Sequence, residues 1–518
     1  MTRASCDTPN YGNYSCVYIV THLHGGATPV VYDGMPEDGI GPGENVTYTY
    51  FNGQESGTLW RHDHLSGVTR LNVYSGLAQF YLLRDDNEEE RMTAAGAACA
   101  LGQVRRDGTG VVDNSNGCEL EMAIQDRDFT AAGDLFYQQG SAWQAEAFAP
   151  YVTVNGVVWP HLTVQPTFYR LRLLNGCDSR FLALQVVARC VGMADRVVPI
   201  YQVGTDVGFA NAVSSFPASA ASMPRQNVLR DYLLMAPGSR SDSFVSFTEF
   251  FSPNNTCVFD LINRAGYPFK LTTPFGGTPV SATPNPASDG VVMRFRFPKP
   301  TFTGAKHPLP AVIASGSTYF REKIGPYKEP VPSKIRKVIL SKTWGEDGQT
   351  MVLLGAVVDD RPVPGIPWCS AEYNITETPI LGATEEWWIY NLTPDTHPIH
   401  LHLVDFQILG RCPLAFGADG EVDYATNIKT ACEGPRPEEN GPKDIVHASE
   451  GYVTKIRATF DIPGLSVWHC HILRYDDDNE MMRPMCIQKD KGTGGADCAD
   501  YWKQCKQDDP GFPSPPAV

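Results

Sequence analysis

The segment Val467-Trp468-His469-Cys470-His471-Ile472-Leu473 sets three metal donors side by side near the end of the chain. On a β-strand successive side chains point to opposite faces, so His469 and His471 look one way and Cys470 the other. One short strand can then touch two metal sites. A thiolate with a neutral imidazole suits copper of the electron-transferring kind, and grouped imidazoles suit copper or zinc. Three further His-x-His pairs stand elsewhere: His22/His24, His62/His64 and His400/His402. Random placement of 12 histidines in 518 residues gives on the order of 0.3 such pairs. Any one pair alone would read as ordinary structural histidine. Four together, holding eight of the twelve histidines, imply a metal centre built from imidazoles.

The surrounding segments predict what positions these donors. Tyr18-Ile-Val-Thr-His22-Leu-His24 alternates like a strand and runs into a glycine turn, and Asn45-Val-Thr-Tyr-Thr-Tyr-Phe51 also reads as a strand. Thr58-Leu-Trp-Arg-His62, Thr384-Glu-Glu-Trp-Trp-Ile-Tyr-Asn391 and Thr454-Lys-Ile-Arg-Ala-Thr-Phe460 complete the pattern, with each His pair at a strand end. A β-sandwich brings such ends together. With 47 glycines, 40 prolines, 11% aromatic and only 19% charged residues, the composition fits short strands and many turns. The length predicts about three domains. We place them at 1–88, 118–302 and 334–490, with linkers at 89–117 and 303–333 and a loosely held tail at 491–518. The acidic run Asp85–Arg91 reads as a solvated break, and the middle domain, with only His161 and His307 near its edges, as free of metal.

A net charge of −16 argues against nucleic acid or an anionic membrane surface as partner, and no apolar run is long enough to span a bilayer. Fourteen cysteines and sequons at Asn13, Asn45, Asn254, Asn374 and Asn391 point to a secretory or otherwise oxidising compartment, although no signal peptide is visible. Cys6/Cys16 and Cys498/Cys505 have the spacing of local staples, and Cys412/Cys432 or Cys99/Cys118 of small closed loops; connectivity stays open.

His22-Leu-His24-Gly-Gly, Trp60-Arg-His62-Asp-His64, His397-Pro-Ile-His400-Leu-His402 and His469-Cys470-His471 stand in the order of the four copper motifs of multicopper oxidases, and the chain resembles that family. Within it, Val154-Asn-Gly-Val-Val-Trp-Pro160, Leu171-Arg-Leu-Leu-Asn175, Leu234-Met-Ala-Pro-Gly238 and Met481-Met-Arg-Pro484 are most similar to the three-domain branch of bilirubin oxidase, spore-coat laccase and phenoxazinone synthase. The resemblance implies an all-β protein of three cupredoxin-like Greek-key β-sandwiches. It implies up to four coppers: a type 2 ion on His22 and His400, a type 3 pair on His24, His62, His64, His402, His469 and His471, and a type 1 ion on Cys470, His397 and Met481. It also implies a proton-supplying acid at Asp33, and a second at Asp476 or Asp477. The first domain is expected to be incomplete at its N-terminal side, since only 21 residues precede His22.

At the type 1 site the sequence departs from the family. The second imidazole is expected five residues after Cys470, where this chain has Tyr475, and the run to Met481 is one residue longer. Three outcomes are open: Tyr475 or a neighbouring aspartate ligates an altered site, a water completes it, or the site is empty. The leading expectation is a monomeric oxidase that passes electrons from phenols, aromatic amines or tetrapyrroles to dioxygen. A cuprous or ferrous ion oxidase and a catalytically impaired copper-binding protein are the alternatives.

Overall fold

A computed structural model describes residues 18–97, 100–101, 117–137, 146–217, 231–251, 257–270, 284–285, 287–297, 308–322, 324–344, 350–368, 375–426, 431–477, 481–489 and 498. The regular structure of the described residues is mostly strand, in three groups along the chain. The first is an antiparallel sheet of Thr21–His24, Gly57–Asp63 and Ala78–Leu83. The second joins a nine-stranded and a six-stranded sheet over an apolar layer that includes Leu120, Leu171, Val186, Phe247, Phe259 and Phe295. The third joins another six-stranded sheet to the four strands Ile445–Ala448, His397–Leu401, Gly464–Cys470 and Met482–Ile487. Alternation explains its core: in Tyr452–Phe460, Thr454, Ile456, Ala458 and Phe460 are buried while Lys455, Arg457 and Thr459 are less so. Burying such apolar faces supplies the main stabilisation, roughly 25 cal/mol per Å².

Two expectations on local structure change. The acidic run is solvated only in part, with Asp86, Asn87 and Glu90 exposed, and it is a helix rather than a break: Asp86–Ala94 is an α-helix, capped by the Asp85 carboxylate accepting from the Glu88 backbone N–H. Helical spacing turns Glu88 inward, 2% exposed, to meet Arg170 at 2.7 Å and Arg172 at 2.5 Å. Those arginines lie on the fully buried strand Phe168–Asn175, and burial of a guanidinium without a counter-charge is costly. Asn45–Phe51 is not a strand either, because no described segment pairs with its backbone; Val46 and Phe51 stand 46% and 66% exposed.

Three disulfides lie among the described residues. Cys412–Cys432 closes the expected small loop. Cys190–Cys257 links neighbouring strands, and Cys498 bonds Cys486 of the last strand rather than Cys505. Cys118 is disulfide-bonded, whereas Cys6, Cys16, Cys99 and Cys505 lie outside the described residues, as do His307 and the sequons at Asn13, Asn254 and Asn374. Asn391 cannot carry a glycan in the folded chain: it is fully buried, donating to Asp395 O and Ala448 O and accepting from Thr393. No helix among the described residues is long and apolar enough to cross a membrane.

Candidate metal centre

Strand register brings the histidines together before any metal is considered. His22 lies opposite His62 in the first sheet, and His400 opposite His469 in the four-stranded sheet. The two sheets then meet ring to ring: His24 stacks on His400 at 3.8 Å and His22 on His402 at 3.9 Å. All eight paired histidines are at most 3% exposed.

Backbone and carboxylate acceptors fix which nitrogen of each ring faces inward. The Nδ1 atoms of His22, His62, His400 and His469 meet the carbonyls of Asp33, Asp63, Asp444 and Cys470 at 2.7–3.0 Å, which turns each Nε2 inward. His402 Nδ1 contacts Asp33 Oδ2 at 2.9 Å. His24 is reversed, with Nε2 at 3.3 Å from Asp444 Oδ1 and Nδ1 inward.

The inward nitrogens fall into sets. His24 Nδ1 lies 3.4 Å from His62 Nε2 and 3.2 Å from His471 Nε2. His469 Nε2 lies 3.2 Å from His64 Nε2 and 3.1 Å from His402 Nε2. The buried Nε2 atoms of His22 and His400 have no hydrogen-bond partner among the described residues. An orphaned buried donor or acceptor costs about 1–3 kcal/mol, so eight converging imidazoles with unspent nitrogens fit a multinuclear metal centre. Burial, followed by the neighbouring rings, holds His24, His62, His64, His400, His402 and His471 well below the usual histidine range, and burial lowers His469 to about 3. Neutral imidazole is the form that binds metal.

Asp33 is fully buried, with its carboxylate at His402 Nδ1 and its carbonyl at His22 Nδ1. Asp476 and Asp477 fall in the short helix Leu473–Asp477, and their side chains lie outside the described residues. Asp444 was missed. It supplies a carbonyl to His400 and a carboxylate to His24, and it is itself clamped by both terminal nitrogens of Arg240. Burial raises Asp444 to about 6 against the pull of Arg240. A lone aspartate 420 residues from its partner carries no motif. Gly25, at φ +85°, passes directly over this pair: a Cβ there would meet Arg240 and Asp444 at 2.6 and 2.7 Å. A further knot of donors, Glu438, Glu439 and His447, is closed by Arg411, which grips Glu439 with two hydrogen bonds.

A family model described as multicopper oxidase matches residues 351–491, and another of the same description matches residues 10–88. Over 496 residues, covering 91% of this chain and 81% of the relative, the sequence is 32% identical to a laccase of Bacillus stratosphericus. The chain belongs to the multicopper oxidase family. A laccase of Bacillus subtilis (strain 168) is equally similar, 32% identical over 91% of this chain and 80% of its own. In fold, the chain superposes on the McoA multicopper oxidase 2F4 variant of Aquifex aeolicus with a TM-score of 0.63 at 21% identity, covering 91% of this chain and 85% of the other. This multicopper oxidase is thus a copper-dependent oxidase of cupredoxin-like build, a family that uses small-molecule donors and dioxygen.

On the far side of the His469–Cys470–His471 strand the match is partial. Cys470 Sγ lies 3.5 Å from His397 Nδ1, whose other nitrogen contacts Thr393 Oγ1 at 2.8 Å. Burial lowers His397 to about 4. Met481 is fully buried and its carbonyl accepts from Cys470 N–H at 2.9 Å, so the longer run does not move it away from the cysteine. The place of the second imidazole is taken by Tyr475, 3% exposed, its ring 5.3 Å from that of His397.

Proposed function

We propose that the eight paired histidines hold three coppers: one on His22 and His400, one on His24, His62 and His471, and one on His64, His402 and His469. The convergence of their inward nitrogens is the observation that carries this reading. Copper bound there would pass to dioxygen the four electrons drawn from four one-electron donor oxidations, which with four protons give two waters. The protein's part is to fix the tautomers through Asp33, Asp444 and the four carbonyls, and to keep solvent from the rings. Asp33 and Asp444 are the carboxyl groups placed to exchange protons with the centre, with Asp477 a further candidate.

The mononuclear site is fitted only in part. Cys470, His397 and Met481 supply a thiolate, one imidazole and a thioether, whereas copper of this type takes two imidazoles and a thiolate. Cys470 is still joined through the backbone to His469 and His471, the shortest covalent link between the two sites. We read the donor as a phenol or aromatic amine taken up near His397, with Tyr475 weakening the site. Oxidation of metal ions is the second reading, favoured by Asp395 and Glu450 beside the His397 strand and by Glu146 within electrostatic reach of Asp395. The sheet groups support domains at 1–88, 118–302 and 334–490, and the disulfides support an oxidising compartment. We take the protein to act as a monomer.

Elemental analysis of copper-loaded protein, together with its visible spectrum and oxygen uptake on a phenolic donor, tests the reading. About three coppers per chain, a weak or absent thiolate band and slow oxygen uptake are expected. One copper or none per chain would overturn the histidine assignment.

A further inference from the structure

Away from every copper-binding residue, the outer face of the sheet that contains Leu182–Cys190, Cys257–Asn263, Val291–Arg296 and His161–Thr163 carries a cavity of about 470 Å³. Small-molecule sites run roughly 300–1,000 Å³. On a chain of net charge −16 its walls are basic: Arg189, Arg264, Arg294 and Arg296 line it, with Asp260 as the one carboxylate. Register puts Asp260, Arg294 and His161 directly opposite one another on three neighbouring strands. Asp260 is engaged by Arg294 at 2.6 and 3.0 Å and by Arg189. Among the described residues the Arg264 guanidinium has no partner, and that of Arg296 meets Thr163 Oγ1 alone, at 3.5 Å. Arg189 also meets Asp195 at 3.3 Å, and four guanidiniums against these two acids leave a net positive field.

Two independent features mark this cavity as built for a ligand. The side chain of Asn263 is 1% exposed and lines the cavity; its Oδ1 accepts from the Ala183 and Ala265 N–H groups, while its Nδ2 donor has no partner among the described residues. A buried donor left in that state calls for an acceptor from outside the chain. Trp159, at the rim, is held at φ +41° immediately before Pro160 and is 37% exposed. A bulky residue in the left-handed region before proline is sterically costly, and such strain collects at binding sites. The indole is left partly exposed in the cavity wall, its ring 5.5 Å from that of Tyr151.

We propose that this cavity binds a carboxylated sugar, a uronate unit of an acidic glycan. The guanidiniums match a planar carboxylate with paired hydrogen bonds. Asn263 Nδ2 and His161 offer partners to ring hydroxyls, and the indole of Trp159 covers the apolar face of a pyranose. A simple aromatic acid would answer the arginines and the indole but leave Asn263 unpaired. The site would hold the oxidase on a carboxylated polysaccharide without contributing to its redox chemistry.

The test is calorimetric titration of the copper-loaded full chain with a galacturonate trisaccharide, its methyl ester, free galacturonate and inorganic phosphate. Binding of the trisaccharide in the millimolar range or tighter, with the methyl ester at least about tenfold weaker, is the expected result. The double variant R264Q/R296Q should lose about tenfold or more in affinity while oxygen uptake stays at the unaltered rate. A trisaccharide that binds more tightly than free galacturonate assigns the site to the polymer, and equal affinities assign it to the free sugar acid. Equal binding of acid and ester by the unaltered protein overturns the proposal, as does unchanged affinity in R264Q/R296Q or phosphate binding as tight as the trisaccharide. Because the copper count and oxygen uptake are measured on the same samples, failure here is distinguishable from failure of the oxidase reading.

Discussion

The two faces of the strand Gly464–Cys470 and its next residue show how differently one segment can be completed. On one face His469 and His471 join six further imidazoles, each packed by its neighbours and most of them oriented by a carbonyl or carboxylate. On the other, Cys470 meets His397 and Met481, and the remaining place is filled by the phenol of Tyr475. Both faces are equally buried and equally well packed, so packing does not distinguish them. Ligand chemistry does: a phenol fits the space of an imidazole without offering its soft nitrogen.

The sharpest break in this comparison is to remove one imidazole from the complete face. His402→Ala should take oxygen uptake to background and lower the copper content by about one ion per chain, measured by elemental analysis. Retained activity would show that the histidine triads are not the working site. Asp444→Asn keeps every ligand but alters the acceptor of His24 and the partner of Arg240. Copper affinity or activity should fall by about 10–100-fold. Removing the nearer of the two carboxylates that face Arg240, with Asp206 remaining, should also cost at most about 3–5 kcal/mol in denaturant unfolding, and an unchanged midpoint would argue against that pair.

Repairing the incomplete face is the converse. Tyr475→His should bring out the intense visible absorption of a thiolate-bound copper and raise turnover by about tenfold, while the histidine cluster keeps its copper. If the unaltered chain already shows that band at full strength, Tyr475 is not limiting.

The smallest effect concerns acid. His397 has a folded pKa of about 4, below the unfolded value of about 6.5, because burial disfavours the imidazolium. Its contribution to stability, on the order of 3 kcal/mol at most, is complete above about pH 6.5 and is lost as pH falls towards 4, since the unfolded chain then binds the extra proton. The copper-free protein should therefore melt at a lower temperature at pH 4.5 than at pH 7. Tyr475→His adds a second buried imidazole and should steepen that fall. A melting temperature that rises on acidification would contradict the burial argument.

Much of this was legible in the residues. Four His-x-His pairs at strand ends announced the cluster, and alternation announced that Cys470 faces away from its neighbours. The substitution at Tyr475 was equally visible, being a missing ligand at a counted spacing. Asp444 and Glu88 were not. Each acts through a contact with a residue far along the chain, His24 or Arg170, and neither spacing nor charge pattern encodes which distant strand will lie beside it. The extended reading of Asn45–Phe51 failed for a related reason: a strand needs a partner, and partners are chosen by the sheet, not by the segment.

Ligand identity, strand periodicity and the departure at Tyr475 were therefore determined by the sequence itself, because they depend on local chemistry and on the two-residue repeat of extended backbone. Which imidazole nitrogen faces inward, how the rings divide into sets, and where a basic cavity and a strained Trp159 come together were decided only in the tertiary structure. Those properties arise from contacts between residues tens to hundreds of positions apart, whose energies exist only once the sheets have packed.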